Sequence, residues 1–436
     1  MSSQTARLQR QVGLPGAVAI GLGSMVGTGI FVSVGIAAGI SGPSVLLAII
    51  VAALVATCNG LNSAQLAASH PVSGGTYEYG YRYLTPWLGF TAGWMFLLAK
   101  SASAATAALG FAGYFSNALV LPSAVFVPLA LAAVLLLTAV AASGIQRSNL
   151  MNAAIVSVTL FGLVAFVVGG FPNVSADHFL PFFAPSGGEG HAVGAFLHAC
   201  ALMFVAYTGY GRIATLGEEV REPRRTIPRA IAATMLVTTV LYVAVAGVAV
   251  GTIGASTLGQ VTAGALEAQV APLSIAAQGF ALPLVSQVVA MSAVTAMLGV
   301  LLNLILGLSR VALAMGRRGD MPIALAQLNR AGTTPTWAVW AVGVAISVLV
   351  LISDVQLTWS FSAFTVLIYY ALTNAAALRL PTSQRIFPTW VAWTGLAACL
   401  FLAFWVEPAI WLIGLGCIGL GLIWHAIARA LYRPAM

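Results

Sequence analysis

The stretch Gly23-Ser24-Met25-Val26-Gly27-Thr28-Gly29-Ile30-Phe31 decides how this chain is read. It sits in the middle of the first long apolar segment, where an unbroken helix would be expected. Instead it carries three glycines and two hydroxyls. Glycine weakens a helix because it loses the most backbone entropy on ordering. Inside a bilayer, unwound backbone is tolerated only where protein or a water-filled cavity satisfies its N–H and C=O groups. A break at this point therefore implies polar backbone facing a cavity, which is the physical basis of a small-molecule site at mid-membrane. The competing reading is close helix packing, because Gly23 and Gly27 also form a small-xxx-small pair.

Composition settles the surroundings. Sixty per cent of the 436 residues are hydrophobic and only 6% are charged, and the mean hydropathy is +0.99. A soluble domain carries roughly 25% charged residues, so the chain belongs in a lipid bilayer. The formal charge of +8 does not indicate nucleic acid, because the basic residues fall in short loops and not on one face or tail. Cys58, Cys200, Cys399 and Cys417 lie inside apolar segments. They read as small packing residues, with no metal-ligand spacing. The first apolar run is too long and too broken by glycine for a cleaved signal peptide.

Apolar spans are predicted at about 14–38, 44–69, 87–116, 122–143, 149–170, 193–217, 229–252, 283–315, 336–353, 357–379, 387–406 and 409–431. From a cytoplasmic N-terminus, the inner loops hold Arg82, Arg147, Arg221 to Arg229, Arg317, Arg318, Arg330, Arg379 and Arg385, and the tail holds Arg429 and Arg433. The outer loops hold Asp177, Glu189, Glu267, Asp354 and Glu407, with no Lys or Arg. This separation predicts twelve spans with both termini inside a cell membrane. The long outer connection 171–192 contains His178 and His191 and reads as a surface loop. A weakly amphipathic piece from Ala265 to Gln278 reads as a short helix over the outer face, a lid if the protein is a transporter.

The sixth span contains a second break. It runs Phe204-Val205-Ala206-Tyr207-Thr208-Gly209-Tyr210-Gly211-Arg212, with two glycines at mid-span. The interrupted spans are five apart. A five-span unit used twice, the second copy inverted, places two broken helices in corresponding positions, and packing alone explains such a pair poorly.

With both breaks in place, the chain resembles the amino acid–polyamine–organocation transporters over nearly its whole length. The motifs that carry the resemblance are 23–31 in span 1, Pro71-Val72-Ser73-Gly74-Gly75-Thr76-Tyr77 in the first inner loop, and Tyr207-Thr208-Gly209 followed by 218–228 at the end of span 6. Ser309-Arg310-Val311-Ala312 with Gly319-Asp320-Met321-Pro322 completes the set. The resemblance implies an all-α membrane protein with a leucine-transporter-type fold. That fold has inverted five-helix repeats at about 14–170 and 193–379, peripheral helices at about 387–431, and helices 1 and 6 broken. The whole chain, 1–436, would form a single transmembrane domain.

In such a transporter the substrate α-carboxylate sits on freed N–H groups where span 1 resumes. Here those groups lie near Thr28, Gly29 and Ile30, with Gly27 beside them in the substrate-binding stretch. A half-helix N-terminus carries unpaired N–H groups and about half a positive charge, which agrees. The α-ammonium would meet carbonyls of Met25 or Val26 and of Val205 or Thr208, beside Gly209. Phe204 and Tyr207 lie where the family places an aromatic gate. Gly29→Leu is expected to abolish binding while leaving folded protein.

Lys100, the only lysine, lies near the middle of span 3. A charge at a helix centre costs about 2.5–3.5 kcal/mol on insertion scales, so it should face the bundle interior. It reads as a structural lysine, a proton-carrying amine, or a counter-charge near the substrate side chain. Arg212, just past the second break, reads substrate charge or pairs with Glu218 or Glu219. Some family members place a lysine in span 5 at the ion position; here Ser157 and Thr159 lie there. A sodium site would need carbonyls around Gly23 and Val26 plus span 8 hydroxyls. Span 8 offers Ser292 and Thr295, but the best-aligned segment, Met297 to Val300, has none.

The leading expectation is a secondary transporter of amino acids, proton-coupled or exchanging. An amino acid sensor with the same pocket is the runner-up. HExxH, GxSxG and paired intramembrane carboxylates are all missing, so no enzyme is expected. A neutral substrate is expected: the apolar walls and the absence of an acid in span 6 near Gly211 weigh against arginine or polyamines, Lys100 and Arg212 keep an acidic substrate open, and an amine is the further alternative. No cofactor, metal or nucleic acid is implied. The loop 117–122 lacks the cysteine by which some relatives bind a single-span partner, so none is expected. Monomer and homodimer both remain open.

Overall fold

Within lipid every backbone polar group must be bonded inside the protein. The long apolar runs answer this by winding into helices. The computed structural model describes residues 12–70, 74–144, 149–183, 191–214, 220–262, 270–330 and 332–431. In chain order the helices are α1 (Leu14–Met25), α2 (Val34–Ser41), α3 (Val45–Ser69), α4 (Thr76–Tyr83), α5 (Pro86–Leu119), α6 (Phe126–Ala142), α7 (Asn149–Gly170), α8 (Ala192–Tyr207) and α9 (Gly211–Ala214). They continue with α10 (Pro223–Ile253), α11 (Ala255–Thr262), α12 (Pro272–Gln278), α13 (Leu284–Arg317), α14 (Thr336–Ile352), α15 (Val355–Leu378), α16 (Thr389–Ala403) and α17 (Pro408–Leu431). Among the described residues, nine helical segments are long and apolar enough to cross a membrane. α1, α14 and α16 are shorter apolar helices. The longest apolar segment, Gly29–Ser69, turns at Gly42, whose φ of 68° suits glycine and separates α2 from α3.

α5 lies at the centre, packed most extensively on α13 and α15. Its middle is a run of buried small residues, from Ser101 to Ala108, which lets neighbouring backbones approach closely. A polar network joins α3, α15 and α16. The Asn62 amide donates to Asn374 Oδ1 at 2.7 Å, Gln65 Nε2 to Asn62 Oδ1 at 2.8 Å, and Asn59 Nδ2 to Cys399 Sγ at 3.1 Å. Gln65 Oε1 accepts the backbone N–H groups of Ile386 and Phe387. Asn59, Asn62, Gln65 and Asn374 are buried, and this mutual pairing makes their burial tolerable.

α12 covers α5 and the resumed part of the first segment. The Leu273 N–H donates to Tyr114 Oη at 3.2 Å, and Tyr114 in turn donates to the Phe31 carbonyl at 2.7 Å. Of the amphipathic piece expected from Ala265 to Gln278, Pro272–Gln278 is helical; 263–269 lie outside the described residues. His178 bonds the Gly251 carbonyl at the end of α10 through Nδ1, at 2.7 Å.

At the other end of the bundle, Asp320 is a buried hub. Its Oδ2 accepts the hydroxyls of Tyr77 and Tyr81, each at 2.6 Å, and its Oδ1 lies 3.1 Å from His425 Nδ1. Its backbone carbonyl accepts Trp424 Nε1 at 2.8 Å. Arg318 pairs with Glu78 and stacks over the Tyr81 ring at 4.1 Å. These contacts fasten α4, the turn after α13 and α17 together. Burial and the Asp320 carboxylate push both phenols well above the usual tyrosine range, so they stay protonated donors.

Candidate functional site

The first segment unwinds where its glycines fall. α1 ends at Met25, and Val26 takes an extended conformation (φ −80°, ψ 103°). The chain then rewinds through a π-type turn, Gly29–Ser33, into α2. Ile30 and Phe31 donate their N–H groups to the Gly27 carbonyl at 3.1 and 3.2 Å. Of the donors expected for a carboxylate, Ile30 is therefore already engaged. Thr28 is buried and its hydroxyl has no hydrogen-bond partner.

The second interruption is tighter. α8 ends at Tyr207, a 3-10 turn spans Thr208–Tyr210, and α9 resumes at Gly211. The two interruptions touch. A Cβ on Gly209 would stand 2.2 Å from the Ser24 carbonyl oxygen and 2.7 Å from Met25 N. One on Gly29 would stand 2.5 Å from Ala206 Cβ and 2.8 Å from its Cα. Only glycine permits these backbone approaches. The same contact corrects one expectation: Gly29→Leu would force the two segments apart, so it does not isolate a loss of binding from a loss of packing.

The carbonyls expected to receive an ammonium are largely engaged. Met25 O accepts the Tyr242 hydroxyl at 2.7 Å, and Ala206 O accepts the same hydroxyl at 3.4 Å. Val205 O accepts the Thr208 hydroxyl at 2.8 Å, and Thr208 O accepts Tyr370 Oη at 3.3 Å. Each carbonyl has a second lone pair. Tyr242 from α10 and Tyr370 from α15 thus stitch the interruptions to the bundle. No motif in the sequence marks either of them, although each is a phenol inside an apolar run. Phe204 and Tyr207 are fully buried. Phe204 meets the Tyr370 ring edge-on at 5.7 Å, and Tyr207 lies 5.3 Å from the Tyr242 ring.

Lys100 faces the second interruption. Its ammonium donates to Thr208 Oγ1 at 2.8 Å. The side chain is half-buried, as are Gly209 and Gly211, and Arg212 on α9 is exposed. The break is therefore not fully enclosed. Glu218 and Glu219, the expected partners of Arg212, lie outside the described residues, as do Pro71 to Ser73, Arg147, Glu189 and Glu267.

A separate cavity of about 10 Å³ lies between α1, α7 and α13, lined by Gly23, Val26, Val156, Thr159, Ala296 and Gly299 among others. That is about one water. Thr159 supplies the only side-chain oxygen of its lining, and that hydroxyl donates to Ile155 O at 2.7 Å. Ser292 and Thr295 of span 8 point elsewhere: Ser292 bonds Val158 O, and Thr295 is tied to Met291 O in its own helix. Among the described residues, no cluster of His, Cys, Asp or Glu is suited to a metal ion.

Comparison with known proteins agrees with this architecture. The family model described as amino acid permease matches residues 16–431. A Mycobacterium tuberculosis protein named an uncharacterized transporter is 40% identical, over 98% of this chain and 93% of its own length. A Bacillus subtilis branched-chain amino acid permease is 27% identical over 78% of this chain and 74% of its own. A vacuolar cationic amino acid transporter of Arabidopsis thaliana is 28% identical over 88% and 62%. The chain belongs to the amino acid permease family and is a multi-pass membrane transporter, not an enzyme.

Proposed function

We propose that the chain is a secondary active transporter that carries an amino acid across the cell membrane by alternating access. Twelve spans, the two inverted five-helix repeats and cytoplasmic termini belong to this reading. The observation that carries it is the meeting of two interrupted helices, Gly209 against Ser24 and Gly29 against Ala206. Interrupted helices that meet inside a bundle offer N–H groups at one end and carbonyls at the other, so an amino acid zwitterion needs no charged side chain for its α-groups. Thr28 and Gly29 serve the carboxylate, with Thr28 Oγ1 a further donor. Val26 and Val205 serve the ammonium, and Phe204 closes against Tyr370.

For coupling, the cavity between α1, α7 and α13 supports a choice. A sodium site there would rest on backbone carbonyls such as those of Gly23 and Val26, with the Thr159 hydroxyl as its one side-chain oxygen and no hydroxyl from α13 in the lining. Proton coupling or exchange fits better than sodium. Uptake of labelled amino acids by the purified protein in liposomes tests the reading. Accumulation driven by a proton gradient or by a trapped exchange partner supports it. Binding without uptake would assign the fold to a sensor.

A further inference from the structure

We propose that Lys100 selects the substrate side chain and that the carried amino acid bears a second carboxylate. The inference rests on the transporter reading above and refines its substrate, away from the neutral side chain expected from the apolar walls. Lys100 sits near the middle of α5 and bonds Thr208 in the second interruption, beside the site of the α-groups. No carboxylate among the described residues pairs with it. All ten acidic residues fall outside the apolar spans: Glu78, Asp177, Glu189, Glu218, Glu219, Glu222, Glu267, Asp320, Asp354 and Glu407.

An ammonium in a low-dielectric interior is stable only when paired or well solvated. Here one threonine hydroxyl is its hydrogen-bond acceptor. A neutral zwitterion adds no net charge and leaves the ammonium as it was. A cationic side chain adds repulsion, which separates this chain from relatives named for cationic amino acids. A side-chain carboxylate supplies a counter-charge that no described residue provides. Lys100, Gly209 and Gly211 are each half-buried, so the ammonium and the break are not sealed off. Thr208 holds the ammonium in place meanwhile, its own proton committed to Val205 O.

The test is thermal stabilisation of purified protein by L-glutamate, L-aspartate, L-leucine and L-arginine, repeated as competition for uptake. The acidic pair should stabilise most and arginine least. Lys100→Met should weaken glutamate at least ten-fold and leave leucine unchanged. Lys100→Arg, which keeps the charge, should retain the acidic preference. Lys100→Glu should reverse the order and admit arginine, a change that a merely structural lysine would not produce. Leucine preferred by the wild type, with Lys100→Met indifferent, would overturn the inference and leave the transporter reading intact. Equal loss of glutamate and leucine in Lys100→Met would show that Lys100 does not discriminate between side chains, again overturning it. No response to any amino acid would overturn both.

Discussion

Gly209→Ala isolates the contact on which the site depends. The added methyl would stand 2.2 Å from the Ser24 carbonyl oxygen and 2.4 Å from its carbon, whereas real Cβ contacts essentially never fall below 3.0 Å. The obstacle is backbone, so it cannot rotate away. The two interruptions must part by close to an ångström, or α8 must shift along its whole length. Overpacking of this kind costs about 1–3 kcal/mol. It is offset by the about 0.5–1 kcal/mol that alanine ordinarily gains over glycine. Gly247 in α10 and Gly307 in α13 serve as controls, since a Cβ there meets nothing within 4 Å. Gly247→Ala and Gly307→Ala should be neutral or stabilising by about 0.5–1 kcal/mol. Melting of the three variants in one detergent compares them directly, and liposome uptake reports on the site. Gly209→Ala should melt lowest and transport least. If it melts with the controls and transports normally, the two broken segments do not meet as described, and the argument for a zwitterion held between them fails.

Other perturbations probe the stitches around the site. Tyr242→Phe removes the hydroxyl that donates to Met25 O; it should lower stability by about 1–3 kcal/mol and slow uptake, and equal melting would refute the assignment. Replacing sodium with choline on both sides of the liposome should leave uptake unchanged, because the cavity beside Thr159 has one side-chain oxygen; sodium-dependent uptake would refute that. Asp320→Asn breaks a buried carboxylate from two phenols and His425, at a cost of about 3 kcal/mol. Tyr77→Phe removes one of those bonds and should cost about 1–2 kcal/mol; a larger fall for Tyr77→Phe than for Asp320→Asn would argue against Asp320 as the hub.

Legibility followed from how each feature departs from its surroundings. The interruptions stood out because glycines and hydroxyls contradict an apolar helix in lipid, and Lys100 stood out because a single charge contradicts the same background. Partners were not legible, because they lie hundreds of residues away. Asn59, Asn62 and Gln65 share one side of α3 by their spacing, yet nothing in that spacing names Asn374 or Cys399. Asp320 was visible within a motif, whereas His425 and Trp424 in α17 were not connected to it. The register of α13 was likewise settled by packing, which aims Ser292 at α7 and leaves Ala296 and Gly299 at the cavity.

The central helix hides most, for a physical reason. A helix with one apolar face and one polar face declares its orientation through a period of 3.6. α5 is enclosed by α13 and α15, with α6, α14 and α17 also against it, and small residues suit every side of it, so its sequence carries no such period. Composition therefore placed Lys100 inside the bundle without saying which neighbour it meets. The neighbour is set by α8, whose last turn ends where glycine lets it lean on Ser24. That lean brings Thr208 to Lys100. Charge selection and backbone interruption are consequently one arrangement: a substitution that straightens α8 through residue 209 should also take from Lys100 its acceptor.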